Sequence, residues 1–234
     1  MEHAFTWYEF VESFFHPLKF LPEPNFMALI VMAIVLALAV GFRRALAQAS
    51  EPVIPEERLG VRNIVELLVE FVVSLSDSII GVKGRKYVPL FGSLFIFILL
   101  ANLLGLIPGF VPPTSFFLTN LALGLVVFIA YNYYGVRANG VHYFKQFIGP
   151  MLLLSPLFVV IEVFSHLFRP MSLSIRLYGN MFGDHLVLEV FSGLTKLVIP
   201  VAFYILGTLV SVIQAAVFTI LTVIYVAMAI SHEH

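Results

Sequence analysis

Cysteine is absent from this chain, and charge is scarce, since only 12% of its 234 residues are charged. Without cysteine there is no disulfide framework and no cysteine metal site. A soluble domain carries about twice this charged fraction, whereas 60% of the residues here are hydrophobic. The formal net charge of −1 provides no basic surface, so we expect no nucleic-acid partner. The composition therefore predicts an integral membrane protein.

Long runs without charge locate the predicted membrane spans. The stretches 24–42, 87–136 and 197–232 contain no charged residue. The second stretch is broken by IPGFVPP, whose prolines and glycine disfavour a continuous helix. A spanning helix needs about 20 apolar residues to cross a hydrocarbon core of ~30 Å. We therefore predict one membrane domain over 1–234, with spans at about 25–42, 88–107, 116–135, 150–190 and 197–231.

Segment 61–80 differs from these spans because it combines apolar residues with one polar stripe. Glu66, Glu70 and Asp77 recur along it at helical spacing, which is typical of an amphipathic helix at the membrane interface. The last two spans are longer than a bilayer requires, so we expect them to tilt steeply as a hairpin. The predicted fold class is an all-α integral membrane protein with about five membrane-spanning helices and one amphipathic helix.

The distribution of lysine and arginine predicts the orientation of the chain. With the N-terminus outside, nine of these residues fall in cytoplasmic loops and only Lys19 and Lys196 lie outside. Cytoplasmic loops are generally the positive ones. We therefore expect Met1 outside and His234 in the cytoplasm, with the chain in an energy-coupling membrane such as the bacterial plasma membrane.

The fourth span, at about 150–190, carries an unusual set of polar residues for a membrane helix. On an ideal helix they all fall within about 80° of arc; they are Glu162, Ser165, Arg169, Ser172, Arg176 and Asn180. A charge at mid-membrane costs at least ~2.5 kcal/mol. Arg169 and Glu162 are open to simple explanations, namely snorkelling to an interface for the first and an ion pair with Arg169 or His166 for the second. Arg176 is harder to explain without a partner charge or water beside it.

The opposite face of this span carries titratable groups towards the outer end. His185 lies nine residues beyond Arg176, Glu189 follows His185 by one turn, and Asp184 lies between the two faces. Two His/Glu pairs at helical spacing, His166 with Glu162 and His185 with Glu189, could in principle hold a metal. Two bare pairs make a weak signal, and we predict neither a metal site nor a cofactor. On the last span, Gln214 is a polar amide that needs partners when buried.

These residues resemble the subunit a family of the rotary F-type ATP synthases. The resemblance rests on SLSIRLYGNMFGDH at 172–185, IQAAVFTILTVIYVAMA at 213–229 and ANLLGLIPG at 101–109, and it covers about 87–230. It implies a non-catalytic stator subunit with two offset half-channels, which carry protons to and from the carboxylates of a rotor ring of c subunits. The implied partners are the c ring, the peripheral-stalk b subunits, the catalytic head and the lipid membrane.

The resemblance also implies a role for individual residues. Arg176 matches the stator arginine, and Asn180 and Gln214 match its polar neighbours. Glu162, Ser165 and Ser172 match positions towards the cytoplasmic exit. His185 matches a position in the outer half-channel.

This chain departs from the family pattern at one position of the outer half-channel. Gly207 replaces the titratable partner that some members place there, so we expect Asp184 and Glu189 to assist His185.

Two other classes of function remain open from the residues alone. A self-contained secondary transporter usually shows inverted repeats and helices broken at mid-membrane, and the sequence has no visible repeat. An intramembrane metalloenzyme would rest on the two His/Glu pairs alone. Purification separates these alternatives, because a stator subunit comes with a ring and a metalloenzyme with bound metal.

Overall fold

The computed structural model describes residues 7–8, 22–48, 60–140, 143, 155–194 and 198–231. Within these ranges the chain is almost entirely helical, which confirms the predicted fold class. The α-helices of the described ranges, in chain order, are α1 (Glu23–Gln48), α2 (Val61–Ile79), α3 (Val88–Leu104), α4 (Phe117–Asn139), α5 (Ser155–Leu194) and α6 (Val198–Ile230). Helices suit a membrane because they satisfy every internal backbone hydrogen bond without water.

Five helical segments of the described ranges are long and apolar enough to cross a membrane. They are Glu23–Ala47, Val82–Leu104, Phe117–Asn139, Leu157–Leu188 and Val201–Ile230. The 3₁₀ helix Val82–Tyr87 directly precedes α3 and belongs to the second segment. The helix bounds differ from the sequence-based ones by a few residues, most visibly where α1 continues to Gln48 rather than ending at 42. Helix α2 is the segment that the sequence predicts to be amphipathic. Its apolar side chains include the buried Val72 and the exposed Leu67.

The break between α3 and α4 is a compact turn closed by buried polar side chains. Gly109 adopts a positive φ of 84°, a conformation that favours glycine. Thr114 Oγ1 donates to Asn102 Oδ1 at 2.8 Å, and Asn120 Nδ2 donates to the Thr114 carbonyl at 2.6 Å. Trp7 also meets this turn, because its indole nitrogen donates to the Pro108 carbonyl at 3.1 Å. The turn and residue 7 therefore lie at the same end of the bundle.

The core lies where α3, α4, α5 and α6 meet. Its largest fully buried side chains include Phe91, Ile98, Tyr131, Leu173, Leu177 and Phe218. Helix α6 packs against α3, α4 and α5, whereas α5 packs mainly against α4 and α6. Helix α1 packs on α2 and α3, away from α5. The result is that α5 borders the bundle and keeps one long face uncovered.

Helices α4 and α5 approach closely through a glycine. A Cβ placed on Gly124 would lie 2.5 Å from Ser174 Oγ and 2.7 Å from the Pro170 carbonyl oxygen. Small residues allow such backbone contact, which contributes much of helix association in lipid. Ser174 Oγ lies within hydrogen-bond distance of the Pro170 and Asn120 carbonyls, at 2.7 and 3.0 Å. The two helices are thus joined by a hydroxyl and by close packing at this point.

We expect Gly124→Ala to destabilise the protein by about 1–3 kcal/mol, because overpacking forces a backbone shift. The unfolding temperature of the purified complex would measure this effect. Gly92→Ala is the matched control, since a Cβ on Gly92 of α3 meets nothing within 4 Å. Equal unfolding temperatures for the two variants would contradict the close approach.

Candidate functional site

The polar stripe of α5 lies on the face that the bundle leaves uncovered. Ser165, Ser172, Arg176 and Asn180 are exposed, and Glu162 and Arg169 are half-buried. On the other side of the helix, Leu173, Leu177 and Met181 are buried in the core. The helix therefore turns an apolar face to α4 and α6, and it presents the predicted polar residues together on its open face.

Arg176 is exposed on this open face near the middle of α5. Among the residues that the structure describes, it makes no hydrogen bond and no ion pair. A guanidinium stays charged at any working pH, and a charge inside a bilayer is costly unless something compensates it. Arg176 is therefore a fixed cation that requires a counter-charge or water from outside the described part of the subunit.

Asn180 and Gln214 connect α5 to α6 one turn from Arg176. Asn180 Nδ2 donates to Gln214 Oε1 at 2.6 Å, and Gln214 is only 4% exposed. The Nε2 atom of Gln214 and the Oγ atom of Ser211, one turn earlier, are buried and have no hydrogen-bond partner within the described ranges. The sequence predicted Asn180 and Gln214 as neighbours of Arg176, and the structure adds their direct contact. This is a polar patch within a hydrophobic helix pair.

Glu162 and Arg169 form an ion pair on the same face, two turns before Arg176. Glu162 Oε1 lies 3.7 Å from Arg169 Nη2, and the Arg169 guanidinium lies 5.7 Å from the centre of the Tyr225 ring. This is one of the simple explanations that the sequence left open for Glu162. The two arginines therefore differ, because Arg169 has a carboxylate and an aromatic face, whereas Arg176 has neither.

His166 is buried in the interface with α4. Its Nε2 atom lies 3.2 Å from the Tyr131 hydroxyl and 2.9 Å from Asn132 Oδ1. Tyr143 donates to the same Asn132 oxygen at 2.8 Å. His166 is thus used in a buried hydrogen-bond cluster with α4 and is not paired with Glu162. Within the described ranges, no three His, Cys, Asp or Glu side chains come close enough to hold a metal ion.

Towards the C-terminal end of α5, Asp184 lies against Gly207 of α6. A Cβ on Gly207 would meet Asp184 Oδ2 and Leu106 Cδ2, each at 2.8 Å. The carboxylate of α5 therefore occupies the space that a side chain at 207 would need. His185 is half-buried next to it. The remaining predicted residue, Glu189, has a side chain that lies outside the described atoms.

Sequence reasoning missed one group of residues, the polar contacts that position α5. Ser174, Asn120 and Thr114 are fully buried, and their hydrogen bonds join α5, α4 and the α3–α4 turn. The only signal in the sequence was the presence of these polar residues in or next to apolar runs. The polar stripe lies on the uncovered face of α5, whereas Ser174 lies on the face that packs against α4.

Comparisons with known proteins identify the family of the chain. The family model described as ATP synthase A chain matches residues 25–227. The chain is 42% identical over 234 residues to the ATP synthase subunit a of Bdellovibrio bacteriovorus, which covers 99% of this chain and all of the relative. It is 46% identical over 175 residues to ATP synthase subunit a 1 of Syntrophotalea carbinolica, 75% of each chain. The chain therefore belongs to the ATP synthase A chain family.

Proposed function

We propose that this chain is the stator of a rotary F-type ATP synthase, with two offset half-channels that carry protons to and from a ring of c subunits. As a member of its family it is a non-catalytic membrane component of an ATP synthase complex. The observation that carries the finer proposal is Arg176, a cation on the uncovered face of α5 that forms no ion pair with any described residue. A passing rotor carboxylate would supply the missing counter-charge.

The chemistry follows from the fixed charge. A protonated carboxyl tolerates lipid, whereas an ionised one is costly there. Arg176 favours the ionised form of a carboxyl that comes near and so makes it release its proton. The arginine cannot pass a proton itself, so it also separates the two half-channels. The membrane potential supplies ~2.3 kcal/mol per charge per 100 mV to this cycle.

The two half-channels are assigned to opposite ends of α5. We assign Glu162, Ser165 and Ser172 to the cytoplasmic path, because they lie on the open face of the inner half. We assign His185, Asp184 and Glu189 to the outer path. The approach of Asp184 to Gly207 supports this assignment, since the acid fills the space at the α6 position where some family members place a titratable side chain that this chain lacks.

Contact between the polar stripe and a ring can be tested with cysteine chemistry, because the chain has no cysteine of its own. A photoactivatable maleimide on Ser172→Cys should capture a c subunit in the assembled complex. Leu125→Cys is the control, since Leu125 is also exposed but lies on α4. Capture of a c subunit from position 125 and not from 172 would refute the placement of the ring on α5.

The orientation is part of the same proposal. We place the chain in a bacterial plasma membrane, with Met1 outside and His234 in the cytoplasm. The loop charges support it. The contact of Trp7 with the α3–α4 turn requires both to lie on the same side of the membrane, so in this orientation both are outside. An impermeant maleimide should label Ile107→Cys from outside and Ala138→Cys from the cytoplasmic side. Labelling of position 138 only from outside would refute the proposed orientation.

A further inference from the structure

A pocket at one end of the α3–α4 pair combines two cations with two tyrosine rings. It has a volume of about 460 Å³ and is lined by Lys86, Tyr87, Tyr134, Arg137 and Ala138. This volume falls within the range of small-molecule sites. The pocket lies far from Arg176 along the bundle, at the start of α3 and the end of α4. None of its lining residues belongs to the proton path proposed above.

The two cations of this pocket have no acidic partner. Lys86 and Arg137 are exposed, and neither forms an ion pair with a carboxylate of the described residues. Their neighbour Arg85 behaves differently, because its Nη2 atom lies 2.7 Å from Asp77 Oδ2. The hydrogen bond from Arg85 holds the pKa of Asp77 below its usual value, so this carboxylate is ionised and already bound. A net positive charge of two therefore remains at the pocket.

Aromatic rings give the pocket its shape. Tyr87 is buried, and its ring centroid lies 4.5 Å from that of Tyr134. The Lys86 ammonium lies 4.7 Å from the centre of the Tyr87 ring. Tyr133, exposed beside the pocket, places its hydroxyl 3.5 Å from Arg137 Nη1. Tyrosine is typical of the headgroup level of a membrane, where one side of the ring is apolar and the other is wet.

We propose that this pocket binds the phosphate of an anionic phospholipid, with Lys86 and Arg137 as its two cations. Arginine and lysine are the usual phosphate ligands of proteins, and basic pockets between spanning helices suit anionic headgroups. Both cations stand where a membrane-spanning helix begins or ends, which places them at headgroup depth. The acyl chains then follow the apolar surface of α3 and α4. The same chemistry could bind free phosphate, and the position at a membrane boundary favours the lipid.

Native mass spectrometry of the purified complex tests this site. The complex is delipidated in detergent and titrated with phosphatidylglycerol, with phosphatidylcholine or with inorganic phosphate, and lipid retained on the released subunit is counted. We expect Lys86→Gln and Arg137→Gln each to weaken phosphatidylglycerol retention about fivefold, from the ~1 kcal/mol that each cation contributes near an anionic lipid. Lys86→Arg should retain the lipid. Assembly and proton flux should stay close to parental, because neither residue belongs to the proposed proton path.

Lys83→Gln is the matched control. Lys83 lies three residues before Lys86 but lines a different, mainly apolar groove with Ile79, Ile80 and Met228. We expect it to retain phosphatidylglycerol like the parent. Parental retention in Lys86→Gln and Arg137→Gln, or an equal loss in Lys83→Gln, would overturn the site. Equal retention of phosphatidylcholine, or displacement of the lipid by millimolar inorganic phosphate, would overturn its assignment to an anionic lipid.

Discussion

Arg176→Ala is expected to abolish ion-driven ATP synthesis while the complex still assembles with its ring and head. The side chain is exposed on α5 and makes no hydrogen bond or ion pair in the described part of the subunit. Its removal therefore leaves the helix packing intact and removes only the fixed positive charge. ATP synthesis in inverted vesicles measures the loss of activity, and the subunit composition of the purified complex measures assembly.

Arg176→Lys is expected to fail or nearly fail as well. Lysine keeps a charge at neutral pH, but a buried ammonium shifts its pKa readily and lacks the planar fork of a guanidinium. The useful control is Arg169→Gln, because Arg169 lies two turns away on the same face and already has Glu162 and the Tyr225 ring beside it. We expect this control to retain a measurable part of the parental rate. Near-parental synthesis by assembled Arg176→Ala complexes would refute the stator proposal.

The second large loss of function is expected from changes in the proposed outer half-channel, towards the C-terminal end of α5. His185→Ala should severely reduce proton flux through the assembled complex, and Asp184→Asn should reduce it in part. An imidazole can both accept and donate a proton, as a proton relay requires. Asp184 is the stronger candidate for a helper because its carboxylate reaches the α6 backbone at Gly207. Glu189→Gln is measured in the same way, and we expect at least one of Asp184→Asn and Glu189→Gln to reduce proton flux.

Gly207→Ala tests the same contact without removing a titratable group. The added methyl would come within 2.8 Å of Asp184 Oδ2 and must displace that carboxylate. We expect a partial loss of proton flux, with normal assembly. Asp77→Asn serves as a control, because Asp77 is an acid of α2 bound to Arg85. If His185→Ala pumped protons like the parent, the outer path would run elsewhere, and the role proposed for Arg176 would still stand.

The helices were predictable because their signals are local. Runs without charge, the prolines and glycine near 107–113 and the acidic stripe of α2 depend on neighbours in the sequence. The polar stripe of α5 was also predictable, since helical periodicity alone aligns Glu162 with Arg176. The family likewise followed from short motifs around Arg176 and Gln214.

Contacts between helices were not predictable in this way. Periodicity related His166 to Glu162, but the packing of α4 gives His166 a different set of partners, Tyr131 and Asn132. Similarly, the sequence showed that position 207 lacks a side chain, and only the arrangement of α5 and α6 shows which group lies there. Such pairs are far apart in the chain, and their contacts depend on how the helices cross.

The contact of Gly124 with Pro170 and Ser174 has a mechanical consequence. A stator must resist the reaction force of the rotor that turns against it, and in the proposed function that force acts on α5 around Arg176. An isolated helix containing a proline would bend under such a load, because Pro170 removes one backbone hydrogen bond. Ser174 and Pro170 are held against α4 within two turns of Arg176. In the proposed function, this contact transmits the force on α5 to α4, so the two helices resist bending together.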